Sequence, residues 1–437
     1  MRVVLIAPVG YSYLWRKKRA AFTLPPMALP LLAATTPPEF QVRLIDEAVE
    51  EVDVNLEADL VGLSVITPTS SRAYSLADHF RSRGMKVVMG GVHPSSLPTE
   101  SLQHCDSVVI GEGEGQWPQV LKDAAQGGLK RIYRNSSSSS LDHLPAPRWD
   151  LLPARRYFVP QTVQVSRGCP MACSFCSVSS FFGRSYRLRS IPHILEELKA
   201  LKRKFLVFID DNLAGNPESA KELFAAMIPL KKKWVSQCSL TIADDPELLD
   251  LAARSGCIGL LIGFESISPE VLRSIGKQVN LRRKYEEAIR RIHQRGIHIQ
   301  GSFIFGFDGD TPETIRNTVQ FAKENRLTGV NYCHLTPFPG TRLYDDLGRE
   351  GRIITREWTR YDRQNIVFQP RHFTPEDLQD RIFWAYRQTY NLHSLWERRP
   401  FSFQHFSLYL LLNFGYIKGL RKMEKDAQRI RAARPRL

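Results

Sequence analysis

The sequence is poor in cysteine, with seven in 437 residues, which argues against a secreted fold stabilised by disulfides. It shows no secretory signal, because the apolar run at residues 3–8 is too short for a secretory core and is typical of a first β-strand. The most apolar stretch near the C-terminus, residues 401–417, is shorter than a bilayer span and contains polar residues. No G-x-G-x-x-G motif follows the first strand, so a dinucleotide is disfavoured. We therefore expect a cytoplasmic protein.

The length predicts two or three domains, and a hydrophobic content of 43% is ordinary for a globular protein. The net charge of +15 is compatible with nucleic acid binding. The lysines and arginines are nevertheless spread along the chain, with one dense run near the C-terminus. Charge alone is a weak argument, and nucleic acid is not the partner we expect.

Three cysteines lie on one short segment in a C-x3-C-x2-C run, namely Cys169, Cys173 and Cys176. An apolar stretch at residues 157–165 predicts a strand that leads into them, and Gly168 and Pro170 predict a loop. Three thiolates on one loop can converge on a single inorganic centre. They are one ligand short of the four that an ordinary [4Fe–4S] cluster takes, so a bound cluster would keep one iron open.

Two other interpretations of the cysteines remain open. Structural zinc needs four ligands, and the run supplies three. Three buried thiols without a ligand would fit badly with a loop rich in Gly, Pro, Arg and Ser. A catalytic iron–sulfur cluster is the interpretation that the spacing favours.

The cysteine run, with Phe175 directly before the last cysteine, resembles the C-x3-C-x-aromatic-C signature of the radical S-adenosylmethionine (SAM) superfamily. The resemblance implies a [4Fe–4S] cluster whose open iron chelates SAM. It also implies that the reduced cluster cleaves SAM to a 5′-deoxyadenosyl radical.

The first 135 residues alternate apolar strands, expected at 3–8, 41–45, 60–66, 86–89 and 107–110, with helices such as 28–35 and 70–83. This pattern predicts an α/β fold with a doubly wound, Rossmann-like parallel sheet. Ligands of such sheets bind beyond the carboxyl ends of the strands. Small residues lie at those ends, where they allow a close approach to the backbone.

This half of the chain resembles the cobalamin-binding domain of cobalamin-dependent radical SAM enzymes. The resemblance places the cofactor at the strand ends, with these candidate contacts: Ser64, Thr67, Gly90, Gly91, His93, Gly111, Glu112, Gly113 and Glu114. The D-x-H-x-x-G motif that supplies an axial histidine in other cobalamin proteins is absent, and His93 does not match it. We therefore expect cobalt without a protein imidazole ligand.

The predicted domains are a cobalamin-binding domain at 1–135, a linker at 136–155, a partial barrel at 156–340 and a C-terminal helical cap at 341–437. The serines at 136–140 predict a flexible joint, and the prolines at 141–153 an extended connector. Barrel strands are expected at 162–165, 205–209, 234–240, 258–263, 298–305 and 330–335, and helices at 191–204, 217–231, 245–255, 281–295 and 312–324. Six strand–helix units predict a partial (βα)6 TIM-type barrel with function at the carboxyl ends of its strands.

Polar or small residues follow several of these apolar strands. In the family that the chain resembles, residues at these positions hold SAM, which implies these candidate contacts: Phe175, Asp210, Asp211, Glu265, Ser266 and Gly301. The alternative for the Asp and Ser residues is helix capping. The cysteines at 238, 257 and 333 lie in or beside apolar strands and are expected in the core.

The last hundred residues predict helices at 352–361 and 373–390, which would form a small cap. The apolar stretch at 401–417 and the basic tail at 418–436 have two interpretations. One is a packed helix, and the other is a helix on a membrane surface with a basic flank. The pattern resembles the branch of the superfamily that includes the hopanoid C-2 methylase.

The resemblance implies a cobalamin-dependent radical SAM methyltransferase acting on an unactivated carbon of a small-molecule or lipid-like substrate. A radical cyclase or rearrangement enzyme without net methyl transfer is the alternative. A non-catalytic, metal-stabilised binding protein with a basic surface is the alternative from another class. The expected partners are the substrate, an electron donor such as flavodoxin or ferredoxin, and a membrane surface contacted through residues 401–437.

Overall fold

The computed structural model describes residues 1–10, 23–134, 140–281, 284–400 and 406–432. The strands are β1 (Arg2–Ala7), β2 (Gln41–Asp46), β3 (Leu60–Ser64), β4 (Lys86–Gly90), β5 (Ser107–Ile110), β6 (Ile132–Arg134), β7 (Ser166–Arg167), β8 (Arg187–Leu188), β9 (Phe205–Val207), β10 (Lys233–Cys238), β11 (Cys257–Glu265), β12 (His298–Phe305) and β13 (Gly329–His334).

The helices of the described residues in the first half are α1 (Ala28–Ala34), α2 (Ser70–Ser82), α3 (Val92–Ser96), α4 (Pro98–His104), α5 (Trp117–Ala125), α6 (Ser177–Phe182) and α7 (Ile191–Ala200). Those of the second half are α8 (Pro217–Met227), α9 (Pro246–Arg254), α10 (Pro269–Ser274), α11 (Tyr285–Gln294), α12 (Pro312–Glu324), α13 (Arg342–Arg349), α14 (Pro375–Thr389), α15 (Leu392–Glu397) and α16 (Phe406–Ala432). The chain divides into two compact units, each described by itself below.

The first unit comprises Met1–Lys202, Leu206–Asp211 and Pro337–Asp362. Its main sheet has the strand order β2-β1-β3-β4-β5-β6, and every neighbouring pair is parallel. Successive residues of β1 point to opposite faces, so Val4 and Ile6 pack in one apolar core and Val3 and Leu5 in the other. The predicted doubly wound sheet is confirmed, with β6 as an additional edge strand that the sequence pattern did not indicate.

The segment predicted as an extended connector is instead packed on this sheet. It forms three 3₁₀ turns, at Leu141–His143, Trp149–Leu151 and Ala154–Arg156. Trp149 and Leu152 are buried in the second core, so burial of apolar side chains overrides the extended preference of the prolines. Most of the serine run, at 135–139, lies outside the described residues.

The second unit comprises Arg203–Phe205, Asn212–Thr336 and Arg363–Leu437. Its strands run in the order β13-β12-β11-β10, paired in parallel, with helices between successive strands. The predicted partial barrel is thereby confirmed. Proline and capping side chains start several of its helices; for example, the Asp245 side chain accepts from the Leu248 N–H at the start of α9, where Pro246 is the first residue.

Two further local predictions are wrong. The expected strand at 162–165 is reduced to one bridge, between Val163 and Phe208, because a side chain rather than a strand binds the next amides. The expected helix at 352–361 is a loop that ends in the 3₁₀ turn Trp358–Arg360, in the first unit. Trp358 is buried there, and its indole N–H donates to Glu100, a contact that the amphipathic pattern does not encode.

The helix expected at 373–390 is confirmed as α14, and the apolar stretch begins α16 from Phe406 onward. Residues 401–405 and 433–437 of the predicted membrane-contacting segment lie outside the described residues. Tyr409, Asn413 and Leu420 are buried on one side of α16, and the Tyr409 hydroxyl donates to the Leu395 carbonyl. None of the described helices is both long and apolar enough to cross a bilayer.

Candidate active site

The three cysteines lie on a loop that is closed by a small hairpin. Strands β7 and β8 pair antiparallel, with Arg167 opposite Arg187. Gly168 follows β7 with φ +86°, and a Cβ there would lie 2.1 Å from the Ser185 carbonyl oxygen. Only glycine fits this turn, which directs the chain into the cysteine run.

The donor set on this loop fits an iron–sulfur cluster. Cys169, Cys173 and Cys176 are half-buried and form no disulfide, and the Cys176 N–H donates to the Cys173 carbonyl at 3.1 Å. Among the described residues, no three His, Cys, Asp or Glu side chains already stand at metal-binding spacing. The assignment of the cluster therefore rests on the three thiols of one loop. Phe175 lies among them, and its contact with SAM stays a prediction.

A second segment, at residues 340–343, also contacts the region of the cysteine loop. The Ser180 hydroxyl donates to the Gly340 carbonyl at 2.7 Å, and the Leu343 N–H donates to the Ser174 carbonyl at 3.0 Å. A Cβ on Gly340 would lie 2.7 Å from the Ser96 hydroxyl oxygen. The segment that follows Pro337 thus returns to the cysteine loop, within the same unit.

Asp210, predicted as a SAM contact, is buried beneath the cysteine loop. Its carboxylate accepts hydrogen bonds from the Val165 N–H at 3.1 Å and the Ser166 hydroxyl at 2.6 Å, and also from the Ser166 N–H. Burial raises the pKa of Asp210 to about 6, although these donors oppose the shift. The carboxylate thus holds the backbone that enters the loop.

Asp211 contacts the next part of the same backbone. Its carboxylate accepts from the Gly168 N–H, and burial raises its pKa while the nearby Arg167 guanidinium opposes that shift. The two aspartates therefore bind consecutive stretches of backbone before Cys169. Their contact with SAM stays a prediction, and their hydrogen bonds to the loop were not predicted.

The remaining SAM candidates lie in the second unit. Glu265 ends β11 with φ +64°, a strained conformation that tends to occur at functional sites. Its carboxylate accepts from Lys277 Nζ at 2.5 Å, and each of these side chains is 11% exposed. Ser266 is buried beside it, and its hydroxyl accepts from the Ser268 N–H. Lys277 was missed, since twelve residues and a helix separate it from Glu265.

Gly301 has a packing role in the structure. It lies in the middle of β12, paired with Ile262, rather than at the carboxyl end of the strand. A Cβ there would lie 2.8 Å from Leu327 and 3.3 Å from the Phe264 ring. The absence of a side chain lets these apolar groups approach the sheet.

The candidate cobalamin contacts do gather at one edge of the first sheet. β3, β4 and β5 are neighbours, and the register pairs Ser64 with Gly90 and Gly90 with Val109. Gly111, at φ +82°, has no other atom within 4 Å of the position a Cβ would occupy, so a ligand can approach its backbone. Ile66, at the end of β3, is 53% exposed. An open glycine backbone and an exposed apolar side chain at the same edge of the sheet fit the edge of a corrin.

The other glycines and Thr67 at this edge have structural contacts. A Cβ on Gly91, at φ +106°, would lie 2.6 Å from the Val65 carbonyl, and one on Gly113 would lie 3.4 Å from Leu32. Thr67 is buried, and its carbonyl accepts from the Ser70 hydroxyl. These residues shape the edge, and their contact with the cofactor stays a prediction.

His93 is buried, and its ring is not presented at the sheet edge. Its Nε2 lies 2.9 Å from the Tyr74 hydroxyl, and Glu100 lies 3.7 Å from the same nitrogen. The Trp358 ring packs against the imidazole edge-on, at 5.4 Å between ring centres. The expectation of cobalt without a protein imidazole ligand stays a prediction.

Glu112 and Glu114 are engaged with the two arginines of the hairpin. Glu114 accepts from Arg167 Nη2 at 2.5 Å, and Glu112 accepts from Arg187 Nη1 at 2.9 Å. Sequence reasoning missed both arginines as site residues, although Arg167 directly precedes Gly168. Their partners are more than fifty residues away, and only folding brings them together.

Comparison with known proteins assigns the family. Residues 163–322 match the family model of the radical SAM superfamily, and residues 18–121 match that of the B12 binding domain. Bacteriochlorophyllide d C-12(1)-methyltransferase of Chlorobaculum tepidum is 30% identical over 407 residues, 89% of this chain and 88% of the relative. The chain belongs to the cobalamin-binding radical SAM superfamily.

Further comparisons agree with this radical SAM assignment. The hopanoid C-2 methylase of Rhodopseudomonas palustris is 27% identical over 79% of this chain and 68% of its own length, as the C-terminal pattern predicted. The structure of the methyltransferase TsrM from Kitasatospora setae, with cobalamin and a [4Fe–4S] cluster bound, superposes with a TM-score of 0.61. At 20% identity over 80% of this chain and 78% of TsrM, that likeness shows the fold alone.

The predicted cofactors of this radical SAM enzyme, a [4Fe–4S] cluster, SAM and cobalamin, are those of its two matched domains. Cys169, Cys173 and Cys176 would hold the cluster, and the edge formed by Ser64, Gly90 and Gly111 would receive cobalamin. The residue assignments rest on the geometry above and stay predictions.

Proposed function

We propose that this enzyme transfers a methyl group from SAM to an unactivated carbon of a small molecule. The observation that carries the proposal is that one compact unit holds both the three-cysteine loop and the open glycine edge. Methylation is further supported by the 30% identical relative, which is a methyltransferase.

When bound, the cluster with SAM supplies a radical initiator, and cobalamin supplies a methyl carrier. The chain itself holds and orients these groups. Asp210 and Asp211 fix the backbone before the cysteines, and Gly111 admits the cofactor to the sheet edge. Buried Trp358 packs edge-on against the imidazole of His93 and so fixes this side chain within the core behind the sheet edge.

The substrate we propose is an apolar molecule with several rings. Two relatives are named for acting on a bacteriochlorophyllide and a hopanoid, which are both rigid multi-ring molecules. Such a substrate offers many C–H bonds and few polar groups for recognition. Radical chemistry suits it, because it needs no activated leaving group on the substrate.

The test is anaerobic turnover with SAM that carries a CD3 group, a reductant and hydroxocobalamin, which brings no methyl group of its own. The offered substrates are bacteriochlorophyllide d and a desmethyl hopanoid. We expect a product in which one CD3 replaces one hydrogen, together with 5′-deoxyadenosine. An altered but unlabelled product would favour the cyclase alternative, and protein that binds zinc and leaves SAM intact would favour the binding-protein alternative.

We further propose a small acidic electron carrier, such as flavodoxin or ferredoxin, as the reductant. The chain carries a net charge of +15, and opposite charges speed association. The rate of SAM cleavage with flavodoxin should then fall as salt is added. A rate that does not change with salt would contradict charge-guided docking.

The outer side of α16 supports the predicted contact with a membrane surface. Leu411 and Phe414 are 49% and 56% exposed there, and Lys418 and Arg421 follow on the same side, at helical spacing. Trp396, on α15, is 68% exposed. We propose that these apolar side chains enter the interface of an anionic bilayer while the basic residues meet the headgroups.

Phe414→Glu should weaken binding to vesicles of phosphatidylcholine and phosphatidylglycerol by about tenfold, because it replaces an exposed ring that would enter the bilayer with a charge. Co-sedimentation measures this. Ile354, 51% exposed in the other unit, provides the matched control, and Ile354→Glu should leave binding unchanged. Equal binding by both variants, or a Phe414-dependent dimer that ignores vesicles, would contradict the proposal.

A further inference from the structure

The hairpin that closes the cysteine loop places two positive charges side by side. Arg167 in β7 and Arg187 in β8 are directly opposite in register. Their side chains are only 6% and 15% exposed, so water screens them poorly. Like charges in this position destabilise a strand pair unless other groups compensate them.

Two carboxylates of the turn after β5 provide that compensation. Glu112 contacts both arginines: Arg187 donates to each of its oxygens, and Arg167 Nη1 lies 3.5 Å from Oε1. Glu114 accepts from Arg167 Nη2 at 2.5 Å. The four side chains form a neutral and largely buried group, which we call the arginine–glutamate network. The bidentate contact between Arg187 and Glu112 fixes the relative orientation of the two side chains as well as their distance.

The network joins two segments that the family matches assign to different cofactors. Arg167 directly precedes Gly168 and Cys169, in the part of the chain that matches the radical SAM model. Glu112 and Glu114 follow Gly111, in the part that matches the B12 binding domain. The Gly111 N–H in turn donates to the Ser95 hydroxyl at 2.9 Å, which ties the turn to α3.

We propose that Glu112, Glu114, Arg167 and Arg187 are positioning residues that set the cluster loop relative to the cobalamin edge. This deepens the proposed function and rests on it for the methyl-transfer readout. The sequence suggested that the two glutamates contact cobalamin. In the folded chain both oxygens of Glu112 and one oxygen of Glu114 already accept from arginine, which leaves the carboxylates occupied with the hairpin.

The expected consequence is tight coupling between the two halves of the reaction. Displacing a reacting group by about 1 Å can cost on the order of 10²-fold in rate. If the network loosens, SAM is still cleaved, since the cysteines and both aspartates are intact. The methyl group, however, is delivered less often per SAM consumed.

The experiment compares Arg187→Gln, Glu112→Gln, Glu114→Gln and the double variant of Arg187 and Glu112, each as the full chain with both cofactors. Cobalamin and iron per chain are measured first. Pulsed EPR then measures the distance distribution between the reduced cluster and cob(II)alamin. Turnover gives methylated product per 5′-deoxyadenosine. Arg148→Gln breaks an exposed pair with Asp150 in the same unit and is the matched control.

We expect the single variants to keep both cofactors, to broaden the distance distribution and to lower product per 5′-deoxyadenosine tenfold or more. The double variant should fold better than either single variant, because it leaves no buried charge unpaired, yet it should stay uncoupled. It therefore decides the question even where a single variant is poorly folded. The Arg148→Gln control should match wild type in each measurement.

Two results would overturn the proposal. One is a wild-type distance distribution in the double variant. The other is cobalamin loss with Glu112→Gln and Glu114→Gln but not with Arg187→Gln, which would make the glutamates direct contacts. The EPR measurement requires no methyl transfer, so it distinguishes failure of this proposal from failure of the proposed function.

Discussion

Replacing Cys173 with alanine will abolish reductive cleavage of SAM. Cys173 is the middle cysteine of the loop, and its carbonyl accepts from the Cys176 N–H. Three thiolates are already the minimum that leaves one iron open for SAM, so a loop with two cannot keep the cluster at that position. Iron and sulfide content, the EPR signal of the reduced cluster and 5′-deoxyadenosine formation should all fall to background.

Cys257→Ala is the matched control for this loss. Cys257 lies at the start of β11, is 5% exposed, and burial raises the pKa of its thiol well above the ordinary value. A thiol held neutral in a core is a poor metal ligand. The Cys257 variant should therefore keep the cluster and SAM cleavage. Retention of cleavage by Cys173→Ala would show that these cysteines are not the cluster ligands.

The parts of the structure that could be predicted are those that depend on neighbours in sequence. The cysteine spacing, the apolar strands β1 to β5 and the strand–helix alternation each carry a local signal, and each leads to the observed element. The carboxyl ends of parallel strands meet at one edge by geometry, so the gathering of Ser64, Gly90 and Gly111 also followed.

What could not be predicted depends on distant partners. Asp210 follows a strand in the manner of a ligand or a helix cap, yet its carboxylate binds amides some 45 residues earlier. The sequence pattern gives Glu112 as a polar turn residue. In the structure its carboxylate accepts from Arg187, 75 residues later. Trp358 lies in a segment with helical character, but its burial against Glu100 and His93 favours a loop. In each case tertiary contacts override the local pattern.

Of these long-range contacts, those of Asp210 have the largest consequence for the reaction. Its pKa of about 6 exceeds the ordinary value of 3.8, so between these values the folded chain binds the proton more tightly than the unfolded chain. The stability contributed by this group therefore falls as pH rises through that window and is constant above it. At a pH well above 6 the group is ionised, and the carboxylate then accepts from all three donors.

Asp210→Ala will remove the acceptor for the Val165 and Ser166 amides and the Ser166 hydroxyl, all of which are buried. Leaving buried donors unsatisfied costs about 1–3 kcal/mol each, so the loop should lose at least about 3 kcal/mol of local stability. Cluster content should then fall at least about tenfold, as measured by iron and EPR, even though every cysteine remains.

Ser166→Ala supplies the graded comparison, because it removes one donor and leaves the carboxylate on the two amides. It should cost about 1 kcal/mol and retain most of the cluster. The alternative role for Asp210 is direct contact with SAM, and it predicts loss of SAM affinity without loss of the cluster. Under it, Asp210→Ala would keep its iron and EPR signal and lose only SAM affinity. Because the cluster is assembled before SAM binds, iron content in the absence of SAM decides between a residue that builds the loop and one that binds the substrate of the cluster.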